Sequence, residues 1–343
     1  MSILIRAQYG FAAGMCWIGI PHLVAAQNRA ESPGTALRGC PAQFNVGFQV
    51  VTLQGGSKAA LWYPTEQQEH PYNYSAAIQG SVARDSAISR CQRFPLVVFS
   101  HGLGGCGTQS VFITEELARG GYVVAAPDHK DATCHADGTG TFAFRASQRS
   151  FFKPETWTSS TYADRRRDME EAIDRVLNSR EFSASVDPNR IGLAGHSVGG
   201  YVALGMAGAW TTWKDPRIQA VLLFSPYVLP FLARNLLQGI DIPVMYQGAQ
   251  FDFGITPFLQ GKSGAYAVSH TQKFYVELKG GNHFEWTNLL CADSKTVANC
   301  VRSKPNARLI LSYSTMFFDR FLKNTSNVTP DLSGSGLAAY QHN

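Results

Sequence analysis

One pentapeptide in this chain has the composition of a nucleophilic turn: Gly195-His196-Ser197-Val198-Gly199. The residues before it, Arg190 to Ala194, read as a short buried strand. Those after it, Gly200 to Ala207, read as a helix of small residues. A serine at the apex of a strand–turn–helix is lifted clear of the sheet, and the helix N-terminus is aimed where negative charge would collect. Glycines two positions either side are needed because side chains there would collide with the crossing backbone. The chemistry open to such a serine is acyl transfer. Its hydroxyl is a poor nucleophile at neutral pH, so it needs a base, and the base needs an orienting acid. The same pattern alone also describes an ordinary Gly-rich loop; the strand and helix beside it favour the nucleophile.

The surrounding elements must supply those partners. From Pro95 onward strands and helices alternate. Leu96 to Phe99 is a continuous apolar run, as a strand buried on both faces should be. Thr108 to Arg119 reads as a helix ending at Gly120-Gly121, and Tyr122 to Ala126 as a strand stopped by Pro127. Thr161-x-x-Asp164 has the form of a capping box, followed by Met169, Ala172, Ile173, Val176 and Leu177 at helical spacing. Beyond the turn, Ile218 to Phe224, Pro243 to Gln247 and Lys273 to Leu278 are three more strands. Asn306 to Lys323 is a closing helix with Ile310, Tyr313, Phe317 and Phe321 on one stripe. At the other end, Gln43 to Leu53 and Ser57 to Tyr63 alternate apolar and polar around Gly55-Gly56, which predicts a β-hairpin. Residues 65–92 read as a polar connection, 131–160 as an insertion rich in Gly, Ser and aromatics, and 325–343 as a flexible tail. The fold class expected is α/β: a mainly parallel sheet with helices on both faces and an N-terminal antiparallel hairpin, one domain over residues 40–324.

In such a sheet the acid and the base sit on loops at the carboxyl ends of strands, after the serine in the chain and in that order. Asp252 follows the strand 243–247, whereas Asp241 precedes it and lies at the wrong end. Of nine histidines, His283 alone lies just past a late strand, in Gly280-Gly281-Asn282-His283. An oxyanion would need two backbone N–H donors. Val198 supplies one. Leu103, in Ser100-His101-Gly102-Leu103-Gly104-Gly105 after the strand 96–99, supplies the other. His101 is read as bracing that loop and His196 as packing behind the nucleophile. Asp128-His129-Lys130-Asp131-x-x-Cys134-His135 looks like a metal cluster but matches no zinc spacing, so no metal and no cofactor are expected.

The 343 residues are 45% hydrophobic and 16% charged, with a formal charge of +5, which suits a globular domain. The longest like-charge run, Arg165-Arg166-Arg167, is followed at once by acids, so no nucleic-acid footprint is present. Residues 1–26 read as a signal peptide: Arg6, then a mostly apolar Gly10 to Ala26 ending in Val24-Ala25-Ala26. An uncleaved anchor is the alternative, although the stretch is short for a membrane span and contains Pro21 and His22. No membrane span is expected to remain after cleavage; the protein is then periplasmic or secreted. Six cysteines would remain, and in an oxidising compartment they suggest disulfides. Six cysteines allow fifteen connectivities; the favoured one has Cys291–Cys300 closing a short loop, Cys106–Cys134 tying two loops at one sheet edge and Cys40–Cys91 by exclusion, with six unpaired buried thiols as the alternative.

Over residues 40–324 the chain resembles the α/β-hydrolase superfamily. Phe99 to Gly105, Pro127-Asp128-His129-Lys130-Asp131 and Gly195 to Gly200 resemble the group joining dienelactone-hydrolase-like proteins and platelet-activating-factor acetylhydrolases. The resemblance implies an exported serine ester hydrolase acting on a small-molecule or lipid-like ester, with a phospholipase A2-type acetylhydrolase, a lipase or a polyester hydrolase as narrower forms. A catalytically silent binding protein on the same scaffold is the non-enzyme alternative. True dienelactone hydrolases carry cysteine where this chain has Ser197. The acetylhydrolases place the acid after the strand preceding Pro243, where this chain has Phe224-Ser225-Pro226, so the acid falls to Asp252. Leu103, Tyr227 and Phe251 are the expected substrate-binding residues. Phe142, Phe144, Phe151, Phe152 and Trp157 in the insertion suit either an apolar cleft with a partial lid or plain core packing.

Overall fold

A computed structural model describes residues 39–137, 146–325 and 336–343. The expected signal peptide, Phe142, Phe144 and part of the expected tail lie outside these residues. Four strands come first: β1 (Asn45–Thr52), β2 (Lys58–Thr65), β3 (His70–Asn73) and β4 (Gln79–Arg84). Then follow β5 (Phe94–Ser100), α1 (Val111–Arg119), β6 (Val123–Pro127), α2 (Ala163–Leu177), β7 (Val186–His196), α3 (Val198–Leu204) and β8 (Ile218–Phe224). The last part holds α4 (Leu229–Leu232), β9 (Val244–Ala249), α5 (Ala265–Val268), β10 (Lys273–Leu278), α6 (Val297–Ser303), α7 (Pro305–Leu322) and β11 (Leu337–His342).

All the strands join one sheet in the order β11-β10-β9-β8-β7-β5-β6-β2-β1-β4-β3. The run from β6 to β10 is parallel, and β2 pairs antiparallel with β6 and with β1. Each central strand is buried on both faces, and alternate residues feed separate cores. Leu96 and Val98 of β5 join the core under α2 and α3, whereas Val97 and Phe99 join the core under α1 and α7. That two-sided burial explains why β5 has no polar alternation. A parallel sheet of this kind brings the carboxyl ends of β5, β7, β8, β9 and β10 to one edge, which is where loops can converge on a site.

Three local expectations differ from the structure. Residues 65–92 contain β3 and β4, which read as polar because β3 is an edge strand with mostly exposed side chains and a proline. The capping box does not form: Tyr162 occupies the N-cap with φ 63°, and the Thr161 hydroxyl accepts from the Thr158 N–H instead. The end of the expected flexible tail is β11, paired antiparallel with β10, with Tyr340 against Tyr313 and His342 over Phe274. An edge strand buries little, so its apolar pattern is weak. The three expected disulfides are present: Cys40–Cys91, Cys106–Cys134 and Cys291–Cys300.

Candidate active site

Ser197 stands between the last residue of β7 and the first of α3, with φ 53° and ψ −117°. A non-glycine residue rarely adopts this conformation, and it persists only when the surroundings enforce it. They do so by contact. A Cβ on Gly195 would lie 2.4 Å from the Gly199 carbonyl oxygen, and one on Gly199 would lie 2.0 Å from that of Ser100. A Cβ on Gly200 would meet Pro226 at 2.5 Å. The Ser197 N–H donates to the Phe224 carbonyl at 3.0 Å, and its own carbonyl accepts from Tyr201 and Tyr227. The turn is thus fixed to β8 and α3, and its side chain is half-buried.

The acid and base loops are laced to each other. Gln250 N–H donates to the Leu278 carbonyl, Phe251 N–H to the Gly281 carbonyl, and Gly280 N–H to the Gln250 side chain. Asp252 turns back on β9 through its N–H to Ala249 and caps the next turn through its carbonyl to Ile255 and Thr256. Its carboxylate Oδ2 lies 2.9 Å from His283 Nδ1. A carboxylate on Nδ1 favours the proton there and leaves Nε2 with a free lone pair, the tautomer a general base needs. The Asp252 side chain is buried, while that of His283 keeps 26% of its surface open.

Ser197 reaches this corner through its neighbour. The His196 ring lies 4.8 Å from that of His283, tilted 43° to it, and its Nε2–H donates to the His283 carbonyl at 2.8 Å. Its Nδ1 accepts from Gln109 Nε2 at 3.2 Å, and Gln109 Oε1 in turn accepts from the Gly102 N–H. Burial, with the nearby His283 ring adding to it, pushes the His196 pKa down to about 3, so it is a neutral strut between the nucleophile turn, the base loop and the loop after β5. Asp252 and His283 are in direct contact. The Ser197 hydroxyl makes no hydrogen bond to His283 among the described residues; such contacts are commonly long without substrate.

Ser225 has a part that the sequence did not assign. It sits at the end of β8 with φ 43°, wholly buried. Its hydroxyl donates to Asp252 Oδ2 and lies 2.8 Å from His283 Nδ1. The one clue was its place in the alternative acid slot. Gln109 gave no signal, since glutamine in a helix start is unremarkable.

Neither the Leu103 nor the Val198 N–H has an acceptor among the described residues. Leu103 is half-buried and Phe251 exposed at 54%, its ring beside exposed Phe253. The Tyr227 ring is buried against Phe151 and Trp157, and its hydroxyl donates to the Phe151 carbonyl. Its side chain anchors the insertion and offers little open surface. Trp157 is wholly buried among Tyr162, Tyr201 and Tyr227, so core packing accounts for it, whereas Phe152 is exposed. Of the metal-like run, Cys134 is in a disulfide and His129 bonds Ser100 and Asp168. Among the described residues no cluster of three metal-ligating side chains exists, and no helix is long and apolar enough to cross a membrane.

A family model described as platelet-activating factor acetylhydrolase, isoform II, matches residues 71–159, and one described as alpha/beta hydrolase fold matches 120–240. A platelet-activating factor acetylhydrolase of Cavia porcellus is 21% identical over 256 residues, covering 64% of this chain and 54% of its own. One of Canis lupus familiaris is 24% identical over 244 residues, covering 62% and 52%. Cutinase est2 of Thermobifida alba is 24% identical over 191 residues, covering 55% and 52%. The chain thus spans about half the length of the curated relatives it matches. Sheet order, family models and relatives together support an α/β-hydrolase fold for the chain, with similarity to the platelet-activating-factor acetylhydrolases.

Proposed function

We propose that the protein is an exported serine ester hydrolase. Ser197 Oγ attacks the ester carbonyl while His283 Nε2 takes its proton. Asp252 holds the imidazole and stabilises its charged form. The Leu103 and Val198 N–H groups receive the oxyanion, each contributing about 3 kcal/mol to the transition state. His283 returns the proton to the leaving alcohol, and water cleaves the acyl-enzyme by the same route in reverse. The observation that carries this reading is the left-handed Ser197, locked by glycines that admit no Cβ, beside an Asp252–His283 pair 2.9 Å apart.

Export is supported by the three disulfides and by the leader-like composition of residues 1–26. The relatives' names, acetylhydrolase and cutinase, direct attention to acetyl esters of phospholipids and to polymer esters. Turnover of p-nitrophenyl acetate, a platelet-activating-factor analogue, a long-chain triglyceride and polyester film, assayed side by side, selects among them. Ser197→Ala is expected to lower kcat on the best substrate by about a million-fold. A variant that keeps most of its turnover contradicts the assignment.

A further inference from the structure

Beneath the loop that follows β5 lies a buried charge cluster that the steps above do not use. Arg165, in the first turn of α2, has no exposed side-chain surface. Its Nη1 donates to the His101 carbonyl at 2.5 Å and its Nη2 to the Gly102 carbonyl at 3.1 Å. Nε and Nη2 also form a fork onto the two oxygens of Asp131, at 2.9 and 2.6 Å. Asp131 accepts in addition from the Gly104 N–H, and the Thr133 hydroxyl donates to the Gly104 carbonyl. The Cys106–Cys134 disulfide closes the far side. Although burial works the other way, the guanidinium holds the Asp131 carboxyl well below the usual carboxylate range, so the pair is ionised.

A peptide bond is planar and trans, so the carbonyl of one residue and the N–H of the next point in opposite directions. The Gly102 carbonyl is held by Arg165, by His101 Nδ1–H at 2.7 Å and by the Gly105 N–H at 3.1 Å. The Leu103 N–H must therefore point away from that cluster. Of the four N–H groups in residues 102–105, that of Gly102 is taken by Gln109, that of Gly104 by Asp131 and that of Gly105 by Gly102. Leu103 alone is left with an open donor among the described residues.

We propose that Arg165, anchored by Asp131, is a positioning residue that aims the Leu103 N–H and thereby assembles half of the oxyanion hole. The inference rests on the serine-hydrolase reading. A merely structural guanidinium would lower stability and leave chemistry alone. An aiming guanidinium sets kcat, because the donor is used in the transition state far more than in the ground state.

The test uses Arg165→Lys and Asp131→Asn in the full chain. For each, kcat and KM on p-nitrophenyl acetate are measured with the affinity for a trifluoromethyl ketone, whose adduct carries an oxyanion. Expected is a loss of about tenfold to a hundredfold in kcat with KM little changed, and a matching loss of ketone affinity. A lowered Tm with kcat and ketone affinity intact overturns the proposal. Should Arg165→Lys not fold, Asp131→Asn decides by the same criterion, since its side chain is less deeply buried. Labelling of Ser197 by a fluorophosphonate in the unaltered protein separates the two claims. Labelling with unaffected variants sinks the aiming role alone, and no labelling sinks the hydrolase reading beneath it.

Discussion

Ser225 adds to the Asp252–His283 pair a contact that holds the carboxylate in place. A carboxylate bonded only to an imidazole can rotate about its own χ angles; a second donor from β8 fixes Oδ2 between two strand ends. Ser225→Ala removes that donor. The hydrogen bond is to an ionised group, so the expected cost is about 1.5 kcal/mol, roughly a tenfold fall in kcat/KM. Asp252→Asn, which also reverses the tautomer preference, is expected to cost about ten-thousand-fold. Steady-state kinetics on both variants checks the ranking, and equal effects would contradict it. Ser197, Asp252 and His283 were legible because each falls at a strand end that hydrophobic patterning locates. Arg165 was not. In sequence it belongs to the run Arg165-Arg166-Arg167, in which nothing sets one arginine apart from the next, and only the packing of α2 on the β5 loop reveals that it is buried.

At the scale of elements, α1 carries a carboxyl where an apolar residue would be expected. Glu115 is 1% exposed, on the face of α1 turned to the sheet. Burial pushes its pKa up to about 8, even though the Tyr74 hydroxyl and Arg119 favour the charged form; Glu69 acts with burial. The Tyr74 hydroxyl donates to it at 2.7 Å and receives the Trp62 indole N–H. A folded pKa above the unfolded one means that the folded state keeps a proton the unfolded chain releases. Stability contributed by this group is therefore full below about pH 4.5 and falls away as the pH rises to about 8. Glu115→Gln removes that dependence. Thermal melts are expected to show the variant gaining on the unaltered protein by about 3–4 kcal/mol between pH 5 and pH 8. A constant difference across that range would contradict the assignment. The same scale explains what the sequence hid. β3, β4 and β11 lie near or at the sheet edges with part of their surface in solvent, so they lack the apolar runs that made β5 and β7 to β10 readable. The capping-box pattern at Thr161 was outcompeted by the turn that Trp157 and Tyr162 pack into place.

For the molecule as a whole, the described residues fall in one compact unit, Ala36–Asn343. Two of its three disulfides staple the segments before and around the parallel sheet. Cys40–Cys91 spans 51 residues and holds the N-terminal strands to the start of β5. Cys106–Cys134 spans 28 and closes the loops that carry Leu103 and Asp131. Replacing Cys40 and Cys91 together by alanine is expected to lower the unfolding free energy by about 2–4 kcal/mol with kcat nearly unchanged. Replacing Cys106 and Cys134 is expected to cost similar stability and also several-fold in kcat, because the loop it closes aims a donor. Urea unfolding beside kinetics separates the two. Equal kinetic effects would mean that the second disulfide has no special relation to the site. Cys106–Cys134 was readable because both cysteines lie on loops at one sheet edge, and Cys40–Cys91 only by exclusion. Neither property bears on the substrate; Phe251 and Phe253 are exposed side by side.

The central claim is that a base from the β10 loop activates the hydroxyl at the β7–α3 turn. Intact-mass and peptide mapping after a fluorophosphonate label test it most directly, in the unaltered protein, Ser197→Ala and His283→Gln. Expected are a single adduct on the peptide containing Ser197, none in Ser197→Ala and strongly slowed labelling in His283→Gln. An adduct on another residue, or labelling of undiminished rate without His283, would contradict it.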